Sequence, residues 1–302
     1  MENSIIKHVH IEGLWNKYTV DFPLDEDVNI LVGNNGVGKT TILNILFFAL
    51  REGPQEYGER KSIFDSVEIL LTNDYSVTIN SVKRNKILRW WHQGELIEDG
   101  RSLPVWSSGV SSFDVNFFED SYLRKLKSVH TDIKTELDAR LYNVIDWYYR
   151  YQSMLGASLR ELVNKGETEK VPSLYAIQDN AQRICNNLFV DKVWYENEKT
   201  EGKLLFQTKE DGVVLNPSQL SSGEKQLLIL LLSTLVSNGR RCIVFWDEPE
   251  ISLHIDWQEH LISTMRELNP NMQLIIATHS PSILFEGWEQ RAINVNSIKT
   301  KA

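Results

Sequence analysis

The stretch "VNILVGNNGVGKTTILNILFFAL", residues 28–50, decides how the chain is read. An apolar strand-like run, Val28–Val32, breaks into the turn "GNNGVGKT" and passes at once into a helix-like run, Thr40–Leu50, apolar on nearly every face. The turn fits G-x-x-x-x-G-K-[ST] at Gly33, Gly38, Lys39 and Thr40, in the strand-before, helix-after setting that gives this spacing its mechanics. Glycines let backbone N–H groups curl around an anion, with Asn34, Asn35, Gly36, Val37 and Thr41 completing the cradle. Lys39 brings a cation to the β- and γ-phosphates, and the Thr40 hydroxyl is a ligand for Mg²⁺. A helix apolar all round is expected to be buried.

Further along, Cys242–Trp246 ("CIVFW") is a second buried strand and ends in Asp247-Glu248. An Asp-Glu pair after a strand is in most proteins a solvated turn. Downstream of a phosphate turn it reads as a metal-binding carboxylate, Asp247, and a water-polarising one, Glu248. A third strand, Met272–Ala277, ends in Thr278-His279 on the same sheet edge, where His279 is placed to bond a γ-phosphate oxygen. Ahead of these lies "LSSGEKQLLILLL", Leu220–Leu232. Ser221 and Glu224 have capping-box spacing, and Gly223 at the mouth of the helix reads as an opening for an anion that a side chain would block. Ser221, Ser222, Gly223 and Glu224 are therefore candidate nucleotide contacts.

The totals agree with a large α/β domain. The chain has 302 residues, 42% hydrophobic, with 41 acidic against 32 basic side chains and a net charge of −9. An acidic chain makes a poor non-specific binder of nucleic acid, so only weak DNA binding, or binding through a partner, is expected. Two cysteines, Cys185 and Cys242, form no framework and suit a reducing compartment. The N-terminal stretch alternates like a strand rather than like a signal peptide, and the longest apolar run, Leu227–Leu232, falls short of a membrane span. A cytoplasmic protein with no membrane partner is expected. Short alternating segments over 63–118 suggest an antiparallel sheet, and Ile133, Leu137, Leu141, Val144, Ile145, Tyr148, Leu155, Leu159 and Leu162 mark one face of a long helix or helical pair ended by Gly166. A helix over Ser173–Leu188 and a hairpin of Trp194–Tyr195 with Leu204–Gln207 follow. The expected division is 1–118, a β-subdomain with the phosphate turn; 119–192, a helical insertion; and 193–302, the remainder of the head.

The order phosphate turn, LSSGE, apolar strand with Asp-Glu, then strand with Thr-His-Ser resembles the ABC-type ATPases. "DEPEISLH" (Asp247–His254) and "ATHSPSIL" (Ala277–Leu284) place the resemblance in the RecF/OLD/SMC-like branch, over roughly residues 1–50 and 213–296. It implies an ABC-ATPase head: an N-terminal antiparallel β-subdomain, a P-loop parallel core and an inserted, mainly helical subdomain. It also implies ATP and Mg²⁺ as ligands and hydrolysis to ADP and phosphate. Two heads would sandwich ATP as a homodimer or higher assembly, Ser222 and the amides near Gly223 of one copy capping the γ-phosphate of the other. DNA repair or phage defence is the implied setting. Alternatives are an ATP-dependent scaffold with vestigial hydrolysis and an ABC subunit of a membrane transporter, the latter disfavoured by "DEPEISLH" and by the lack of a clear transporter-type glutamine loop. Ser222, where transporters carry glycine, suits the RecF-like branch.

Several assignments are open at this level. The family's glutamine loop is matched only by "VNFFEDSYL", with Glu119, Asp120 or Ser121 as substitutes. Trp15 and Tyr18 are candidates to stack on adenine or to pack on the surface. "KRNKILRWW" (Lys83–Trp91) reads as a nucleic-acid contact or as a strand alternating exposed base with buried apolar. His254 and His260 lack zinc spacing. Lys39 and Gly223 are 184 positions apart (223 minus 39), too few for SMC-like arms, and 23 residues follow His279 (302 minus 279). No nuclease constellation is legible, His92, His130 and Cys185 being widely separated, so a separately encoded effector, a nuclease by preference, is expected. Trp147, Tyr148, Tyr149 and Tyr151 cannot all face one core, so some are expected at the surface.

Overall fold

The computed structural model describes residues 3–51, 55–57, 63–82, 85–97, 105–111, 128, 133–195 and 202–301. In chain order the first elements are β1 (Ile6–Leu14), β2 (Tyr18–Pro23), β3 (Val28–Val32) and α1 (Lys39–Arg51). Then come β4 (Gln55–Tyr57), β5 (Ser66–Leu71), β6 (Tyr75–Val82), β7 (Asn85–His92), β8 (Glu95–Ile97) and β9 (Ser107–Ser111). The middle of the chain holds α2 (Glu136–Lys165), α3 (Val171–Leu188), β10 (Lys192–Tyr195), β11 (Leu205–Thr208), β12 (Val214–Leu215) and α4 (Ser222–Leu235). The last stretch runs β13 (Cys242–Asp247), α5 (Ile255–Glu259), α6 (Leu261–Leu268), β14 (Met272–Ala277), β15 (Ala292–Asn294) and β16 (Lys299–Lys301). These elements form two units: 1–111 with 240–248 and 271–302, and 112–239 with 249–270.

The first unit contains two sheets. One is antiparallel, ordered β16-β2-β1-β5-β6-β7-β4 with β8 on β7, and its strands bury alternate residues. In β1, Val9 and Ile11 are buried while His8, His10 and Glu12 face out, the period-2 signature of a sheet with one wet face. Leu88 and Trp90 of β7 are likewise buried, which supports the alternating-strand reading over β7, while Lys83 and Arg84 lie outside the described residues. The second sheet is parallel, ordered β15-β3-β14-β13-β9. All six residues of β13 and of β14 are buried, as parallel strands covered on both faces require. Gln273 of β14 is itself wholly buried and joins the sheets: its Oε1 accepts from Ile6 N–H at 2.8 Å, and its Nε2 donates to Ile6 O at 2.7 Å and Asp25 O at 2.8 Å.

One expectation changes here. Residues 107–111 fall within the span read as antiparallel, yet β9 pairs parallel with β13, Gly109 opposite Phe245. Its sequence, Ser-Ser-Gly-Val-Ser, has little strand propensity. The glycine is needed because the Phe47 ring of α1 lies against it, 2.9 Å from where a Cβ would stand.

The second unit is built on helices. α2 opens with a capping box, Thr135 with Asp138, and ends at Gly166 in the left-handed conformation (φ 73°), the stop read from the sequence. β10 and β11 form the expected antiparallel pair, Trp194 opposite Phe206, and β12 adds a third strand. Tyr148 and Tyr151 are buried, Tyr148 meeting Trp194 edge-on at 5.6 Å, while Tyr149 is exposed. The aromatic run thus divides between core and surface as its helical spacing demands. No helix among the described residues is long and apolar enough to cross a membrane.

Candidate functional site

Gly33, Gly36 and Gly38 take φ values of 144°, 74° and 109°, a run of left-handed backbone that side chains resist. It turns the chain from the end of β3 into α1, whose free first-turn amides and positive dipole end follow directly. Around Gly36 there is open space where a Cβ would stand, and Gly38 is roofed by the Trp15 ring, 2.7 Å from that position. Lys39 is 4% exposed. Its ammonium donates to Gly33 O at 2.8 Å and Asn34 O at 3.4 Å, and lies 2.8 Å from Nε2 and 3.2 Å from Nδ1 of His279.

The Thr40 hydroxyl donates to Asp247 Oδ1 at 2.8 Å, and Asp247 is buried at the end of β13. A hydroxyl beside a buried carboxylate is a hard-oxygen donor pair that fits Mg²⁺. Glu248 follows with φ 48°, a left-handed conformation costly for a side-chain-bearing residue. Its N–H donates to Ala277 O at 2.7 Å, pinning the strained residue to the end of β14. Its carboxylate reaches His279, Oε1 to Nε2, at 3.3 Å. Lys39, Thr40, Asp247, Glu248 and His279 therefore form one contiguous cluster at the C-terminal ends of β3, β13 and β14, where open α/β sheets place their ligands.

Trp15 and Tyr18 stand at the rim, edge-on with ring centres 6.3 Å apart. Lys299 was not foreseen: its ammonium donates to Val37 O at 2.6 Å and sits 5.5 Å from the Trp15 ring and 4.9 Å from that of Tyr18. No local signal marks a lysine 262 positions away from its partner.

Ser221, Ser222, Gly223 and Glu224 lie in the second unit. The capping box is present: Ser221 Oγ accepts from Glu224 N–H, and Glu224 Oε2 accepts from Ser221 N–H at 2.8 Å. The structure supplies a packing reason for the glycine that the sequence did not show. A Cβ on Gly223 would lie 2.6 Å from the Ser252 carbonyl oxygen, so the neighbouring backbone by itself excludes a side chain here. Ser252 itself has φ 68°. His254 caps α5, its Nδ1 accepting from Asp256 N–H at 3.4 Å, a structural use of the side chain. Among the described residues no group of three or more His, Cys, Asp or Glu could hold a metal ion. Glu119, Asp120, Ser121 and His130 lie outside the described residues.

A glycine turn into a buried helix, an Asp-Glu pair at the end of one strand of a parallel sheet, Thr-His at the end of its neighbour and an antiparallel side sheet give the chain the fold of the SMC head domains. Among solved structures, the Smc head domain of Pyrococcus furiosus, bound there to the C-terminal domain of ScpA, matches with a TM-score of 0.56 at 15% identity, over 99% of this chain and 96% of that one. The SMC head domain from Thermotoga maritima matches with a TM-score of 0.53 at 14% identity, over 100% and 98%. The chain belongs to the family described as "AAA domain, putative AbiEii toxin, Type IV TA system", which it matches over residues 97–284. The Septu protein PtuA of Bacillus thuringiensis is 22% identical, over 93% of this chain and 73% of that protein. The "Retron Vc95 probable ATPase" of Vibrio cholerae serotype O1 biovar El Tor is 21% identical, over 86% and 67%.

Proposed function

We propose that the chain binds and hydrolyses ATP and that nucleotide drives two or more copies together. The carrying observation is the cluster in which Lys39 meets His279, His279 meets Glu248, and Thr40 meets Asp247. The amides of residues 33–41 and the Lys39 ammonium hold the phosphates, the ammonium turning from the carbonyls of Gly33 and Asn34 toward the γ-phosphate. Thr40 and Asp247 are the residues that would hold Mg²⁺, which when bound neutralises charge on the phosphate oxygens. Glu248 orients a water against the γ-phosphate and takes its proton, and His279 donates to a γ-phosphate oxygen. Trp15 and Tyr18 are the shelf offered to the base. From a second copy, Ser221–Glu224 bring the capped helix end to the γ-phosphate.

The relatives' names, a Septu protein and a retron ATPase, favour phage defence as the setting, with a separately encoded effector as the part controlled. The test is Glu248→Gln. Shape and ATP binding are kept while the proton acceptor is lost, so turnover falls by at least about a hundredfold. Light scattering with ATP and Mg²⁺ should then show a larger assembly than without nucleotide. Undiminished hydrolysis by this variant would remove Glu248 from its role, and an unchanged mass with ATP would remove the dimerising step.

A further inference from the structure

The first turn of α4 is gripped by side chains far from it in sequence. Glu224 keeps one carboxylate oxygen for its own capping box and gives the other, Oε1, to Lys192 Nζ of β10 at 2.9 Å. The next residue, Lys225, donates from Nζ to Asp138 Oδ1 at 2.8 Å, across 87 positions. Asp138 Oδ2 in turn accepts from Thr135 N–H at 2.8 Å and Lys134 N–H at 3.1 Å, closing the N-terminus of α2. The four side chains are 7–15% exposed.

Burial alone would raise the Asp138 carboxyl, but the bonds from Lys225 and Thr135 outweigh it and hold it below the ordinary range. Burial alone would likewise lower the Lys192 ammonium, and Asp191 and Glu224 more than reverse this. Helix α4 has little need of these pairs for stability. It has its own cap and buries Leu227 to Leu232 without a gap. Buried ion pairs seldom outdo apolar replacements in stability, and their best-attested use is to fix register.

We infer that Asp138 is a positioning residue for the LSSGE turn, Leu220–Glu224. Acting through Lys225, with Lys192–Glu224 as a second arm, it fixes where Ser222 and Gly223 stand, so α2 governs how well one copy caps the nucleotide of another. This rests on the nucleotide-sandwich reading proposed above.

The test is made in the Glu248→Gln background. Analytical ultracentrifugation measures ATP-dependent association, beside binding of labelled ATP by the dilute chain and the melting midpoint. Asp138→Asn and Lys225→Met are each expected to weaken association about tenfold while ATP affinity stays within about twofold, a typical coupling between sites. Lys225→Arg, which can keep the pair, restores association. The double variant is no weaker than the worse single one, because both changes remove the same contact. Association of Lys225→Met equal to that of its parent overturns the inference. So does a loss of association matched by equal losses of ATP affinity and melting temperature, which would reduce the pair to scaffolding. Failure of Glu248→Gln itself to associate with ATP refutes the sandwich reading before any α2 variant is compared, and this inference falls with it.

Discussion

Replacing Gln273 by Met tests the join between the two sheets of the first unit. Methionine has nearly the shape of glutamine and no amide, so the substitution isolates the hydrogen bonds. Asp25 O also accepts from Asn29 Nδ2 at 2.9 Å and stays satisfied. Ile6 N–H and Ile6 O each lose a bond at a position 1% exposed. An orphaned buried backbone group costs about 1–3 kcal/mol, so two give roughly 2–6, and about 3 kcal/mol is expected once the regained desolvation of the amide is set against them. With two units in the chain a single global unfolding free energy is a poor readout. Amide hydrogen exchange followed by mass spectrometry reports the affected strands directly, and peptides covering β1 and β14 should exchange on the order of a hundredfold faster. Peptides from α2 and α3 serve as the internal control. Acceleration of less than about fivefold in β14, under 1 kcal/mol, would refute the claim that Gln273 carries the join.

Two further outcomes are expected. Lys39→Met keeps the aliphatic stem but removes the charge, and equilibrium binding of labelled ATP should weaken by at least about tenfold, the cost of losing a charged hydrogen bond. His10 donates to Asp21 across a 2.7 Å contact and has Glu12 nearby, and these acidic partners, Asp21 foremost, hold its pKa above the ordinary 6.5. With the folded value raised, the pair's small contribution is fully present below about pH 6.5 and is lost as pH rises through the folded midpoint. An NMR titration should place the His10 midpoint above 6.5, and Asp21→Asn should bring it down; an unmoved midpoint would break the assignment.

What the sequence disclosed was what neighbouring residues can disclose. The turn at Gly33–Thr40, the box at Ser221 and Glu224, the Asp-Glu at the end of β13 and the stop at Gly166 each depend on a few adjacent positions, and each stands where its spacing put it. The Thr135–Asp138 box was equally available in that spacing. The remainder depends on partners that no local pattern names. Lys225 finds Asp138 across 87 positions and Lys299 finds Val37 across 262. The strand Ser107–Ser111 is not legible because Ser-Ser-Gly-Val-Ser has little strand propensity, its glycine being the residue that fits under Phe47.

The contact between Gly223 and the Ser252 carbonyl bears on how such chains are sorted. Glycine at this place answers to a neighbouring peptide group as well as to any phosphate, so a descendant that had lost its nucleotide would still be held to glycine by steric exclusion alone. A survey that treats the LSSGE glycine as a hallmark of activity therefore counts the inheritance of a packing arrangement. Separating working enzymes from retired ones falls to the side chains that packing leaves free to drift.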